Sequence, residues 1–318
     1  MSGTLTYCSI ATRKSLEAIS RAVSSLHGSS TAEEELESLA GPAFDTDILA
    51  KRVSILDILE RYDPTASFPL ASFLQALTPM RIRSYSISSS ALASPTTVSL
   101  TVGVLEAPSP WTTSTDTTTS ANPTKFLGVA SNYIATLEPS DTIQVAVRPS
   151  HQAFHPPPDP ETTPMLMLCA GTGIAPFRGF CAERATMVAA GRKLAPARLY
   201  VGVRREVDVL YKDELAEWVK AGAIDVRYVY SRESSKTGGW GYVQERMWAE
   251  REELVDLFDD GAKVFVCGSA KLGDGVRNVV MRMYKETAEK RGKEKTEEEV
   301  AKWFDGIRNE RYAVDVFT

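Results

Sequence analysis

MLMLCAGTGIAPFRGF, residues 165–180, decides the fold of the C-terminal half. MLMLC is an unbroken apolar run, which reads as a short buried strand. Gly171–Pro176, GTGIAP, follows as a turn, because glycine permits a tight bend and a close backbone approach. APFRGFCAERATMVAA then reads as a helix with Pro176 in its first turn, where a missing N–H costs least. A helix N-terminus behind a glycine turn offers free N–H groups and a positive dipole end, a place for a pyrophosphate. The third glycine of GxGxxG is missing, so a purely structural turn stays open as the alternative.

Downstream, the pattern alternates. ARLYVGV, IDVRYVYS, AKVFVCG and RYAVDVFT read as strands. Between them, YKDELAEWVKAG reads as a helix closed by Gly222, a helix runs through Tyr284, and Thr296 with Glu299 forms a capping box opening another. Such alternation predicts a doubly wound parallel sheet. Ser231–Arg232 follows the third strand, where a hydroxyl and a guanidinium suit a 2′-phosphate; a solvated polar loop is the bland alternative.

Upstream, the prolines of HPPPDPETTP (155–164) mark a linker, dividing the chain into 1–158 and 159–318. TVSLTVGVL (97–105) and DTIQVAVRP (141–149) read as strands, with a Ser/Thr/Pro-rich loop and the short helix GVASNYIATL between them. These predict a small antiparallel barrel, so the first part is α+β and the second α/β. Residues 13–77 read as helical. Within them, DTDILAKRVSILDILERY is expected to be one helix placing Ile48, Leu49, Val53, Leu56, Ile58 and Leu59 largely on one face, ended by Pro64. A shorter helix carries Leu70, Phe73, Leu74 and Leu77. RSYSISSS (83–90) supplies a cation, an aromatic ring and small hydroxyls, either for a flat phosphorylated heterocycle or as a plain edge strand.

Composition narrows the function classes. A net charge of -5 gives no reason to expect nucleic acid or an anionic membrane as partner. No run is long and apolar enough for a membrane span, and MSGTLTYCSI is not a secretory signal. Cys8, Cys169, Cys181 and Cys267 form no CxxC pair and suggest free thiols in a reducing, cytoplasmic setting. With His27, His151 and His155 they show no metal-ligand spacing.

The motifs RSYSISSS, GVASNYI, GTGIAPFRGF, YKDEL, SRE with YVQ, VCG and RYAVDV stand in the order found in the NADPH–cytochrome P-450 reductase family of diflavin reductases. From about residue 13 to 318 the chain resembles their C-terminal FAD/NADPH reductase part, most of all that of the self-sufficient fatty-acid hydroxylases. The resemblance implies a ferredoxin–NADP reductase-like fold that binds FAD and NADPH. Arg83, Tyr85 and Ser86 are then expected to bind FAD, with Tyr85 stacked on the ring. Gly128, Val129, Ala130 and Ser131 are expected at its pyrophosphate, and Thr101 and Gly103 beside the flavin. Gly171, Thr172 and Gly173 are expected at the nicotinamide nucleotide, and Arg204 at its phosphates. Ser231, Arg232, Tyr242 and Gln244 are expected on the 2′-phosphate side. Ser86, Cys267 and Asp315 are expected around the hydride path, with Phe317 covering the flavin until nicotinamide displaces it.

The chain also departs from the family's pattern. Cys169 stands where glycine is usual and is expected to crowd the turn. Trp240 replaces a lysine that contacts the 2′-phosphate, leaving Lys236 to supply the charge. Phe317 replaces tryptophan, which softens the expected preference for NADPH over NADH. The FMN domain and haem domain that the resemblance implies have no counterpart in this sequence; an FMN domain or haem protein is the expected electron acceptor. Two other readings are a stand-alone ferredoxin–NADP reductase, disfavoured by the helical insert, and a non-catalytic remnant that still binds nucleotide.

Overall fold

In the computed structural model of the chain, residues 5–6, 10–27, 30–63, 67–108, 125–150 and 153–317 are described. Cys8, Pro64, His151 and most of the Ser/Thr/Pro-rich loop lie outside them. Contacts divide the chain into two units, Met1–Ser84 with Gly103–Ile143, and Tyr85–Val102 with Gln144–Thr318. The segment 85–102, assigned by sequence to the first domain, thus packs with the second unit.

In the first unit, β1 (Leu5–Thr6) pairs antiparallel with β2 (Thr78–Pro79). Helices α1 (Arg13–His27), α2 (Ser30–Ala40), α3 (Ile55–Tyr62) and α4 (Leu70–Ala76) enclose a core of Leu16, Ile19, Leu36, Ile48, Val53, Ile55 and Ile58. The single helix expected over 45–62 is not formed. A π-helical turn, Phe44–Leu49, ends before Arg52, which adopts a left-handed φ of 55°. Ser54 then caps α3 through a reciprocal capping box with Asp57, a stronger local signal than continued periodicity. The break turns Leu49 and Leu56 outward, against the one-face expectation.

Of the expected antiparallel strands, little is paired among the described residues. Strand β3 (Glu106–Pro108) pairs with β4 (Lys125–Leu127), followed by helix α5 (Val129–Ala135). Within 97–105 only Leu100 forms a bridge, to Ile87, and 141–149 forms no β pairing. Val98 (64% exposed), Val145 (72%) and Val147 (77%) have no opposing face to cover them. Isolated pairings of this kind are marginal without a third strand or a packed face.

In the second unit, Met165, Met167 and Cys169 face one core and Leu166 and Leu168 the other. That two-sided burial belongs to a central parallel strand, β5 (Met165–Ala170). Around it stand β6 (Ala197–Val203), β7 (Asp225–Tyr230), β8 (Lys263–Ser269) and β9 (Tyr312–Phe317), all parallel, in the order β7-β6-β5-β8-β9. Helices α6 (Ala175–Ala189) and α7 (Lys212–Lys220) cover the Met165 face through Phe177, Cys181 and Leu215. Helices α8 (Val243–Ala249), α9 (Arg251–Asp259), α10 (Ala270–Lys290) and α11 (Glu297–Ile307) cover the other through Val243, Leu254, Val276 and Phe304. The expected α/β sheet is therefore present, and its connections place the strands' C-terminal ends at one edge, where such folds bind ligands. Among the described residues no helix is long and apolar enough to cross a membrane.

Candidate active site

Strand β5 runs into a tight 3-10 turn, Gly171–Ile174, before α6 begins. Gly171 is exposed in a left-handed conformation (φ 54°), with open space where a Cβ would stand. At Gly173 a Cβ would lie 2.2 Å from the Cys267 carbonyl oxygen, so only glycine lets the turn seat on β8. One glycine bends the chain and the other allows close packing, which leaves a backbone cradle fit for a dinucleotide phosphate. Thr172 sits half-buried between them. Cys169 does not crowd this turn. Its fully buried Sγ lies in the Met165-side core and donates to the Tyr200 carbonyl at 3.4 Å, and burial raises its pKa well above the usual thiol range.

Beside the turn, Cys267 and Asp315 are register partners on β8 and β9. Ser86 Oγ donates to Asp315 Oδ2 at 2.9 Å. Cys267 is 1% exposed, and burial, then the nearby Asp315 charge, push its thiol up to about 12. It stays neutral near pH 7 and gives no thiolate, which the place expected for it on the hydride path does not require. Phe317 lies two residues beyond Asp315 on the same strand face and is 45% exposed at the strand's end.

At the ends of β6 and β7, Ser231 N–H donates to Val203 O (2.9 Å) and Arg232 N–H to Arg204 O (2.8 Å). The ladder thereby brings two exposed arginines to the same strand ends, and neither Arg204 nor Arg232 forms an ion pair among the described residues. Tyr242 (53% exposed) stands at the start of α8, and the half-buried Gln244 packs its amide against Gly275. Lys236 is not a free substitute for the missing lysine: its Nζ is held by Glu233 (3.2 Å) and Glu206 (3.3 Å). Lys212 and then Lys236 hold the Glu206 carboxyl below its usual range, and the Glu206 N–H followed by Lys236 does the same for Glu233. Trp240 instead lies under the Arg246 guanidinium, 5.2 Å from its ring centroid.

In the first unit, Gly128 precedes α5 and a Cβ there would stand 2.8 Å from Leu105 Cβ. Ser131 is buried, its Oγ accepting from Leu105 N–H (3.0 Å) and donating to Gly128 O (3.3 Å). That fixes the tight 128–131 turn, with Val129 and Ala130 between. Arg83 and Gly103 are exposed, and Tyr85 is half-buried in the second unit. Thr101, also in the second unit, shares a 2.7 Å hydrogen bond with Tyr211. Sequence reasoning gave Arg178, Tyr211 and Glu214 no role, because their pairing across α6 and α7 has no local spacing signal.

Residues 4–133 match the FAD binding domain family, and residues 167–278 match the oxidoreductase NAD-binding domain family. The chain is 46% identical over 285 residues to a bifunctional cytochrome P450/NADPH–P450 reductase of Fusarium oxysporum, covering 89% of this chain and 26% of that protein. The corresponding bifunctional protein of Acremonium egyptiacum is 42% identical over 86% of this chain and 25% of its own length. A self-sufficient cytochrome P450 monooxygenase of Phanerodontia chrysosporium is 42% identical over 93% of this chain and 27% of its own length. The chain thus spans about a quarter of these relatives. With the two domain matches in tandem and relatives matched along nearly its whole length, the chain carries an FAD binding domain followed by an oxidoreductase NAD-binding domain and is homologous to the reductase part of cytochrome P450/NADPH–P450 reductase fusions.

Proposed function

We propose that this chain is an NADPH–haemoprotein reductase module that passes a hydride from NADPH to FAD and electrons onward to an FMN domain or haem protein. The observation that carries it is the 2.9 Å Ser86–Asp315 bond, with Cys267 as register partner of Asp315 beside the Gly171–Gly173 turn. When bound, FAD supplies the two-electron acceptor and one-electron donor chemistry that no side chain provides.

The chain's own residues bind, orient and screen. Backbone N–H groups of the 171–174 turn hold the nicotinamide nucleotide's phosphates, and Arg204 and Arg232 with Ser231 take its remaining phosphates, including the 2′-phosphate. Tyr242 and Gln244 flank the adenosine side. Arg83 and the 128–131 turn serve the FAD pyrophosphate, and Tyr85, Thr101 and Gly103 its ring. Ser131 acts by holding that turn, its hydroxyl being spent on Leu105 and Gly128. Asp315 accepts a hydrogen bond from the Ser86 hydroxyl and so aims that oxygen where a ring nitrogen's proton must be managed. Phe317 covers the ring between turnovers.

In this reading, segments 97–105 and 141–149 belong to an FAD-binding antiparallel barrel, supported by their β-branched composition and the FAD binding domain match. The boundary to the NADPH-binding part falls at 158/159, and the setting is cytoplasmic, in keeping with the free thiols of Cys169, Cys181 and Cys267. Anaerobic mixing of the FAD-loaded protein with NADPH, and separately NADH, tests the function. Rapid loss of the visible flavin band with NADPH supports it; a loaded protein that NADPH does not bleach refutes it.

A further inference from the structure

We propose that Arg178, Glu214 and Tyr211 form a positioning cluster that fixes the 85–102 hairpin to the nucleotide-binding sheet for hydride transfer; it rests on the function proposed above. All the residues involved lie in the second unit. Arg178 donates from Nη1 to the Ser88 carbonyl (2.9 Å) and, through Nε (3.0 Å) and Nη2 (3.1 Å), to both oxygens of Glu214. Its guanidinium also stacks over Tyr211, 4.6 Å from the ring centroid. One planar fork thus joins helix α6, helix α7 and the hairpin, a geometry that a lysine cannot copy.

Tyr211 closes the other side. Its hydroxyl meets Thr101 Oγ1 at 2.7 Å, so both arms of the hairpin are held, one at Ser88 and one at Thr101. The two arms are joined by Ser88 N–H to Ser99 O (2.8 Å) and the Ile87–Leu100 bridge. Tyr211 has a left-handed backbone (φ 57°, ψ 31°), a cost for a bulky residue that persists only where surroundings enforce it. Helix α6 approaches the same hairpin closely: a Cβ on Gly179 would stand 3.0 Å from the Ser89 carbonyl oxygen. Ser86, two residues from Ser88, makes the bond to Asp315. The cluster therefore sets the place of Ser86 and Thr101 without itself touching the reacting atoms, which makes these three positioning residues.

The test compares wild type with Arg178→Lys and Tyr211→Phe in the whole chain. Three measurements are made: amide hydrogen exchange, visible circular dichroism of the FAD-loaded protein, and flavin reduction at saturating NADPH. Arg178→Lys is expected to speed exchange at Ser88 and Ser99 by about tenfold or more while β5 amides are unchanged. It should also alter the flavin dichroism and slow reduction about tenfold, with NADP⁺ affinity kept within about twofold. Tyr211→Phe, which removes one oxygen, should show the same pattern more weakly and decides the matter if Arg178→Lys does not fold. Unchanged local exchange and rate, or exchange raised evenly throughout with a normal rate, overturns the proposal. A wild type that loads FAD but is not reduced by NADPH overturns the functional reading alone, and the exchange pattern still decides whether the cluster anchors the hairpin.

Discussion

Ser86 and Asp315, 229 residues apart in sequence, meet through a 2.9 Å hydrogen bond from hydroxyl to carboxylate. The bond joins the two parts of the sequence expected at the hydride path. Ser86→Ala and Asp315→Asn should each slow flavin reduction by NADPH on the order of 100-fold. Because they act as a unit, the double variant should be little slower than either single one, which stopped-flow absorbance checks.

Arg232 and Arg204 are joined through their backbones, exposed and without an ion pair among the described residues, whereas Lys236 is tied to Glu206 and Glu233. Arg232→Ala should weaken NADP⁺ binding roughly 10- to 100-fold, the worth of a charged hydrogen bond, and leave NAD⁺ binding nearly unchanged. Lys236→Ala should change NADP⁺ affinity by about twofold or less. Titration calorimetry with the two nucleotides separates these outcomes.

Gly173 and Gly306 offer a contrast in stability. A Cβ at Gly173 meets the Cys267 carbonyl at 2.2 Å, so Gly173→Ala should cost about 3 kcal/mol or more. Gly306 lies in α11 with open space around it, so Gly306→Ala should add about 0.5–1 kcal/mol. Denaturant midpoints measure both.

The buried thiols predict a pH dependence. Burial pushes Cys181 and Cys267 up to about 12 from an ordinary value of 9.0, so the fold keeps protons that the unfolded chain releases. Stability from these groups is complete below pH 9.0 and falls as pH rises toward about 12. Burial of Tyr200 and Tyr312 acts in the same direction. Melting temperatures taken from pH 8 upward should decline through this window, and less steeply in Cys181→Ala.

The parallel sheet was legible because its signals are local: a two-sided apolar run at β5, a glycine turn, Pro176 in the next helix, and a capping box at Thr296. The break between Leu49 and Ile55 also had a local signal, Ser54 with Asp57, which the hydrophobic period masked. Helices α8 and α9, split only at Glu250, were missed because each is too short for a clear period. Strand character at 97–105 and 141–149 is legible in β-branched composition, but pairing depends on partners far away in sequence. At the site, residue types were legible and their partnerships were not. Nothing in the spacing shows that Lys236 is spent on two glutamates, or that Cys169 turns toward Tyr200.

Strand β9 sits at the sheet's edge and is its last strand in chain order. During synthesis Ser86 is made 229 residues before Asp315, an interval of about 10 to 45 seconds at common translation speeds. Strands β5 to β8 are completed within that interval, while the Ser86 hydroxyl still has no Asp315 carboxylate to meet. A product that stops short of Asp315 lacks that bond and, on the function proposed above, is expected to reduce flavin no faster than Asp315→Asn.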